Sequence, residues 1–298
     1  MKELYPDLSK EKLCRLFGKT RHAFYERLWR QKDNALQDDI VLQYVLQIRE
    51  DLPRVGVRKL HHMLIPLLAS HGMQIGRDYL FDLLADHQLL VRQRKRKVVT
   101  TNSRHWMHKY ANLIIEMDIH RPEQVWVSDI TYIRLSNQWC YLSLITDAYS
   151  RQIIGYSFRN DLSSQLCIDA LQMAIQNRSY TNQPLIHHSD RGSQYCSGDY
   201  VNILLHNKIA ISMTEHADPY ENALAERLNG IIKNEFNLCC GQTSYENAFL
   251  QIKKSIAAYN EIRPHSSCDY MTPLEAHKQQ GKLKKRWKKY PYRNQIAP

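Results

Sequence analysis

The amino-acid sequence predicts an α/β fold, in which a mixed sheet flanked by helices is preceded by an all-helical region. Apolar residues recur at helical spacing through residues 1–91. Three closely spaced segments after residue 120 are rich in β-branched and aromatic residues, as strands are. Two more strand-like segments then alternate with helical segments, and this order is typical of parallel strands connected by helices.

The helical region, residues 1–91, contains two predicted helix pairs. In the first pair, apolar residues at helical spacing lie on both sides of Gly18, which predicts two short helices joined by a tight turn. The second pair comprises residues 56–72, which end in a glycine stop, and residues 76–90. Such pairs form helix-turn-helix DNA-binding units in many proteins and simple packing units in others, so both interpretations stay open.

The predicted core domain, residues 121–277, begins with three strands and continues with alternating helices and strands. The strands lie in 124–135, 139–150 and 151–158, and short breaks between them favour antiparallel hairpins. The following segments are a helix in 163–178, a strand in 183–190, a helix in 197–208, a strand in 209–214 and two further helices. The late strands are therefore expected to be parallel.

The net charge indicates the class of partner. The 298 residues include 41 Lys and Arg against 30 Asp and Glu, for a formal charge of +11, which fits a polyanion such as DNA. A membrane is disfavoured, because the sequence has no apolar run of 18 residues and no signal-peptide pattern. The seven cysteines include no CxxC pair, so reduced thiols are predicted rather than disulfides or a zinc site.

Two segments concentrate the positive charge. The first begins a predicted basic linker, residues 92–120, and the second lies in a predicted basic C-terminal tail, residues 278–298. Such runs are usually solvated, but both are also expected to contact the DNA backbone. The residues assigned to this contact are Arg92, Arg94, Lys95, Arg96, Lys97, Lys284, Lys285 and Arg286.

Three carboxylates lie at positions where a charged side chain calls for an explanation. Asp129 interrupts an apolar strand, Asp190 ends another, and Glu226 lies on a helix face with Asn222 and Asn229, opposite an apolar face. Each has an ordinary explanation, such as a strand-end carboxylate or a solvated helix face. Together they supply the hard oxygen ligands that suit a pair of Mg²⁺ ions, which promote phosphoryl transfer.

The residues around these carboxylates resemble the second-frame (OrfB) transposases of the insertion sequence 3 family. Between Asp190 and Glu226 lie 35 residues, the interval of DDE transposases and retroviral-type integrases. The ordered motifs are W-x-x-D-I-T-Y-I at 126–133, H-S-D-R-G-x-Q-Y at 188–195, N-A-x-A-E at 222–226 with Lys233 seven residues on, Y-N-x-x-R-P-H at 259–265, and T-P at 272–273. One departure is "AERLNG", which replaces the Ser-Phe-Phe that is commoner after the glutamate.

The resemblance implies a DNA transposase catalytic subunit with an RNase H-like core. Asp129, Asp190 and Glu226 would bind two Mg²⁺ ions, with Mn²⁺ as a substitute, to cut at the element ends and transfer the 3′-OH to target DNA. It also implies a homo-oligomer in a synaptic complex, an upstream-frame helix-turn-helix partner (OrfA) or a frameshift fusion with it, and a bacterial, nucleoid-associated cytoplasmic location.

The roles of four further residues follow less directly. Asn222, His188 and Lys233 are predicted to orient the DNA phosphate or a water. Arg263 lies in a loop for which structural closure and DNA contact stay equally open. Two other functions also stay open for the whole chain: an RNase H-like nuclease without strand transfer, and a domesticated DNA-binding protein.

Overall fold

The computed structural model describes residues 9–16, 18, 20–91, 106–115, 117–136, 138–215, 222–238 and 244–286. Contacts between residues divide the chain into two units, one of residues 1–48 and 60–90 and one of residues 49–59 and 91–298. The residue boundaries predicted for the four domains stay predictions. No helix among the described residues is both long and apolar enough to cross a lipid bilayer.

Four helices make up the described part of the N-terminal region: α1 Lys10–Leu16, α2 Arg21–Asp51, α3 Val57–Ala69 and α4 Arg77–Asp86. The predicted turn at Gly18 is confirmed, because the glycine has a φ of +63° and links α1 to α2. The prediction that α2 is short is wrong. This helix has 31 residues and ends two residues before Pro53, since the residue before a proline disfavours helical backbone.

The second unit contains a five-stranded sheet with the order β3-β2-β1-β4-β5. The strands are β1 Val125–Arg134, β2 Trp139–Asp147, β3 Ile153–Arg159, β4 Ile186–Ser189 and β5 Ala210–Met213. The first three strands pair antiparallel, whereas β4 runs parallel to β1 and β5 runs parallel to β4. This mixed sheet confirms the predicted α/β, RNase H-like class.

Helices cover both faces of the sheet. The second unit continues with α5 Ser164–Gln176, α6 Gly198–His206, α7 Ala223–Glu235, α8 Tyr245–Glu261 and α9 Pro273–Ala276. On one face, α5 and α6 enclose a buried cluster around Trp126, Leu171 and Tyr200. On the other face, α7 packs against β1 and α8 against β3. The sheet is therefore buried on both sides, as parallel strands usually are.

One glycine allows a close approach between a helix and the sheet. A Cβ atom at Gly155 in β3 would lie 2.2 Å from the backbone oxygen of Ala170 in α5. Because real Cβ contacts are longer than this, only glycine lets α5 pack so close to the sheet.

A buried charge network ties α9 to the sheet. Asp147, at the end of β2, accepts hydrogen bonds from the backbone nitrogens of Glu123 and Ser150, both at 2.8 Å. His277 follows α9 and lies between the two carboxylates, with Nε2 3.4 Å from Glu123 Oε1 and Nδ1 3.6 Å from Asp147 Oδ2. The end of the chain's core is thus held by paired charges rather than by apolar contact alone.

Candidate active site

Asp129 lies in the middle of β1, the central strand of the sheet, opposite Leu144 of β2. Its side chain is partly buried, and both carboxylate oxygens accept hydrogen bonds. Oδ1 accepts from the backbone nitrogen of Ile130 at 2.9 Å, and Oδ2 accepts from Asn229 Nδ2 at 2.8 Å. The strand and helix α7 therefore fix this carboxylate together.

Asp190 comes directly after β4, which runs parallel beside β1. Because Val127 pairs with His188, the residues two positions further on, Asp129 and Asp190, lie level on adjoining chain segments. Neighbouring strands are roughly 5 Å apart, so this register brings the two carboxylates close together.

The turn after β4 shapes the position of Asp190. The backbone nitrogen of Gly192 donates a 3.0 Å hydrogen bond to Asp190 Oδ1. A Cβ atom at Gly192 would lie 3.0 Å from the same oxygen and 3.3 Å from Gln194 Oε1. The glycine therefore leaves just enough space for the carboxylate in its present orientation.

Glu226 lies in the first turn of α7 and is exposed. The helix packs against β1, where its buried Ala225 lies in a cluster with Val125 and Val127, and Leu228 and Ile232 of the helix are buried as well. This contact is predicted by the apolar spacing of the helix. It places the glutamate on the side of the sheet that carries Asp129.

The polar face of α7 differs from its sequence interpretation. Helical spacing groups Asn222 and Asn229 with Glu226 on a polar face whose ordinary explanation is solvation, but their exposed fractions are only 6% and 5%. Asn222 Nδ2 donates to the backbone oxygen of Ser128 at 3.2 Å, and Asn229 donates to Asp129. The asparagines are therefore part of the contact between helix and strand, because β1 offers them acceptors.

The carboxylates influence one another electrostatically. Burial, followed by the negative charge of Asp190, raises the pKa of Asp129 from 3.8 to about 7, and the charge of Glu226 adds to this effect. The hydrogen bonds from Asn229 and Ile130 act in the opposite direction. The described site thus gathers the negative charge of three carboxylates.

This concentration of carboxylates fits a divalent cation. Hard carboxylate oxygens are the ligands that Mg²⁺ and Mn²⁺ take, and a cation would offset the repulsion that raises the pKa of Asp129. Within the described residues, however, no three His, Cys, Asp or Glu side chains are already arranged as a metal site. The structure brings the three elements together and leaves the detailed ligation as a prediction.

The supporting residues that were predicted to contact DNA have different environments. His188 is fully buried in β4, where its Nδ1 is 2.9 Å from Ser212 Oγ in β5. It packs inside the sheet, as the buried Asn222 packs against β1, and the orienting roles predicted for both residues stay predictions. Lys233 is partly exposed, two turns beyond Glu226 on α7, and its DNA contact stays a prediction.

Arg263 is a structural residue in this structure. Its exposed fraction is 2%, and its Nε and Nη2 atoms each donate a 2.7 Å hydrogen bond to Glu235 at the end of α7. Asn260 in the same motif accepts a 3.0 Å hydrogen bond from the backbone nitrogen of Ile153 and donates a 2.9 Å hydrogen bond to its backbone oxygen. The motif at 259–265 thus helps to close the core, and a DNA contact by Arg263 stays a prediction.

Part of the basic tail is ordered on the core. The backbone oxygen of Lys284 accepts a 3.0 Å bond from Asp269, and the side chain of Arg286 is paired with Asp269. Lys284, Lys285 and Arg286 are all exposed, which keeps a DNA contact open to them. The basic residues Arg92, Arg94, Lys95, Arg96 and Lys97 lie outside the described residues.

The sequence signals no role for two groups that hold α7 in the structure. Asn229 donates a hydrogen bond to the carboxylate of Asp129. Lys59 Nζ lies 3.5 Å from Glu235 Oε1, and the same glutamate is also paired with Arg263. Helical spacing alone signals that Asn229 shares a side of α7 with Glu226. Nothing local signals Lys59, because its partner is 176 residues away.

Comparison with known proteins identifies the family. Residues 119–219 and 207–273 match two families, each described as an integrase core domain. The insertion element IS600 uncharacterized 31 kDa protein of Shigella sonnei is 32% identical over 265 residues, which are 88% of this chain and 96% of that protein. Transposase InsF for insertion sequence IS3A of Escherichia coli (strain K12) is 34% identical over 166 residues, which are 54% of this chain and 56% of InsF.

A third relative and two solved structures are also similar. The transposase for insertion sequence element IS629 of Shigella sonnei is 30% identical over 67% of this chain and 66% of its own length. The HTLV-2 integrase catalytic core domain in complex with magnesium has a TM-score of 0.43 at 24% identity, over 53% of this chain and 97% of that chain. A chain of the simian T-cell lymphotropic virus intasome with PP2A regulatory subunit B56 gamma has a TM-score of 0.46 at 20% identity, over 82% and 80%.

The family follows from the relatives rather than from the solved structures. The IS600 protein is aligned over nearly its whole length, and the integrase core domain matches cover the elements that carry all three carboxylates. The chain is therefore a DDE polynucleotidyl transferase that belongs to the insertion sequence 3 family of transposases.

Proposed function

We propose that this chain cuts DNA at the ends of an insertion sequence and transfers the resulting 3′-OH to a target phosphodiester, with two Mg²⁺ ions as cofactor and Mn²⁺ as a substitute. The observation that carries the proposal is the register of β1 and β4, which brings Asp129 level with Asp190 beside the helix of Glu226. The pKa of Asp129, raised by burial and then by the charge of Asp190, supports a cation bound at these carboxylates.

The positions of the residues indicate different roles in the proposed reaction. When bound, the metal ions would stabilise charge on the phosphodiester and favour deprotonation of the attacking water or 3′-OH. Asp129, Asp190 and Glu226 would hold them, the first two on the rigid sheet and the third on α7. Lys233, on the same helix as Glu226, would contact the anionic DNA backbone. Both chemical steps use an oxygen nucleophile from water or DNA, so no covalent enzyme intermediate is required.

The proposed partners follow from the same chemistry. The substrates are insertion-sequence ends and target DNA, in keeping with the net charge of +11. Two ends must be paired, so we infer a homo-oligomer in a synaptic complex, in the bacterial cytoplasm at the nucleoid. An upstream-frame helix-turn-helix partner or fusion would add end recognition. Pairing of two labelled ends by the purified chain alone would contradict the need for that partner.

The test is metal-dependent cleavage and joining of labelled duplexes that carry the element's own ends. Glu226→Gln removes a charge while keeping nearly the same shape. Glu261→Gln is the matched control, since Glu261 is also an exposed helical glutamate, at the end of α8. We expect wild type and Glu261→Gln to cut and join, and Glu226→Gln to bind DNA but do neither.

The outcomes separate the three functions. Cleavage without joining by wild type would support the nuclease alternative. DNA binding without either reaction would support a domesticated binding protein. Equal activity of Glu226→Gln and wild type would mean that the charge of Glu226 is not needed for the reaction.

A further inference from the structure

Helix α7 is attached to β1 by two asparagine side chains that are seven residues apart. Asn222 and Asn229 lie on either side of Glu226 in sequence, and both are buried. Asn222 bonds to a backbone oxygen of β1, whereas Asn229 bonds to the carboxylate of Asp129. The two residues share one packing environment and differ in whether they touch a proposed metal ligand.

The bond from Asn229 completes the orientation of the Asp129 carboxylate. Each carboxylate oxygen can accept about two hydrogen bonds. One bond to Oδ1 from Ile130 and one to Oδ2 from Asn229 fix the plane of the group and leave acceptor capacity on both oxygens. Among the described residues, Asn229 is the side chain that donates to Asp129. Its loss would leave the carboxylate held by a single bond from the adjacent backbone.

An amide suits this position better than a cationic side chain does. A lysine or arginine would also donate to Asp129, but its charge would oppose binding of a divalent cation to the same carboxylate. The amide of asparagine orients the carboxylate and leaves its charge in place. The Oδ1 atom of Asn229 is buried and has no hydrogen-bond partner among the described residues, so docking of α7 does not use the whole amide.

We propose that Asn229 is a positioning residue that holds Asp129 in the orientation needed to bind a divalent metal, an inference that rests on the proposed function. Side chains that orient a metal ligand typically change metal affinity by about 10- to 100-fold when they are removed. The competing explanation is that Asn229 only attaches α7 to β1. Asn222 makes the same kind of attachment without touching Asp129, so it distinguishes the two explanations.

The experiment is a titration of the full chain with Mn²⁺ in which free Mn²⁺ is measured by electron paramagnetic resonance, alone and with an end duplex. The variants are Asn229→Ala, Asn229→Leu and Asn222→Ala. Leucine has the same number of side-chain heavy atoms as asparagine and the same branching at Cγ, so it removes the donor without opening a cavity. We expect both Asn229 variants to weaken Mn²⁺ binding by about 10- to 100-fold, and Asn222→Ala to leave it within about twofold of wild type.

Cleavage assays supply a second readout. We expect the Asn229 variants to need about 10- to 100-fold more Mg²⁺ for half-maximal cleavage, with DNA binding in the absence of metal unchanged. Mn²⁺ affinities of both Asn229 variants within about twofold of wild type would overturn the inference. So would an equal loss of Mn²⁺ affinity in Asn222→Ala, because attachment of the helix would then explain the effect.

The titration also separates this inference from the proposed function. If wild type binds Mn²⁺ but neither cuts nor joins DNA, the proposed function fails, and the metal affinities of the variants still decide the role of Asn229. If wild type cuts and joins while the Asn229 variants bind metal normally, the proposed function stands and the inference falls.

Discussion

The substitution His277→Gln tests the buried charge network that ties α9 to the sheet. His277 lies between Glu123 and Asp147, whose side chains are fully buried. Burial by itself would lower the pKa of His277, but its interactions with the carboxylates of Asp147 and Glu123 outweigh burial and raise the pKa to about 9. The imidazolium is therefore charged at neutral pH and balances two buried carboxylates, whereas glutamine keeps polar atoms but no charge.

The pKa of His277 gives the size of the effect. The difference between 6.5 and about 9 corresponds to about 3 kcal/mol of stability. Because the folded pKa is raised, this contribution is fully present below about pH 6.5 and is lost as pH rises through about 9. At pH 6 to 7, His277→Gln should lower the free energy of unfolding by about 3 to 5 kcal/mol, the usual cost of breaking a buried ion pair. Arg178, which is 3.4 Å from Glu123, favours the lower end of this range.

The assay is urea unfolding of the full chain, followed by tryptophan fluorescence at pH 6 and pH 9.5. Lys59 titrates in the same range, because burial lowers its pKa to about 8, and its effect has the opposite sign: stability rises with pH from about 8 to 10.5. The comparison is therefore made between variants, in which the contribution of Lys59 cancels. His206→Gln, at an exposed histidine in α6, is the control for the loss of an imidazole.

We expect the difference in stability between wild type and His277→Gln to shrink by about 3 kcal/mol from pH 6 to pH 9.5. His206→Gln should follow wild type at both pH values. A difference between wild type and His277→Gln that does not change with pH would refute the argument, since it would mean that the charge of the imidazolium contributes nothing.

Three further predictions concern close packing and paired charges. Gly155→Ala should destabilise the fold by about 3 kcal/mol or more, seen as a lower urea midpoint, because its new methyl group would clash with the backbone of α5. Gly192→Ala should reduce cleavage by about tenfold with little change in urea midpoint, because the methyl group displaces the Asp190 carboxylate; unchanged cleavage would contradict this role. Arg263→Met should cost about 3 to 5 kcal/mol of stability by leaving Glu235 without its closest partner, and replacing both residues by apolar ones should recover most of that loss.

The sequence allowed the sheet and its helices to be predicted because their signals are local. Enrichment in β-branched and aromatic residues marks β1 to β3, and short breaks between them leave little choice but antiparallel pairing. The helical segments between the later strands imply the parallel order of β4 and β5. The length of α2 had no such signal, because its apolar residues do not mark one face from beginning to end.

The environment of polar side chains was the part that local patterns did not contain. Helical spacing correctly groups Asn229 with Glu226, but whether that face is solvated depends on Asp129, which is 100 residues away. The burial of Arg263 likewise depends on Glu235, and that of His188 is accompanied by a bond to Ser212, 24 residues along the chain. A polar side chain is buried where a hydrogen-bond or charge partner is present. When that partner is distant in sequence, the local pattern of residues does not reveal it.

The contacts of Glu235 set a limit on how the catalytic core can be shortened. Residues 49–59 belong to the same unit as the sheet, where the backbone nitrogen of Arg54 bonds to the oxygen of Glu235 at 3.1 Å and Lys59 reaches its carboxylate. A truncated protein that begins at the basic linker would keep all three acidic residues of the site. It would nevertheless lose two of the groups that hold the far end of the helix carrying Glu226. Preparations of the core for crystallography or inhibitor screening should therefore retain residues 49–59, even though they precede the segment that matches the integrase family.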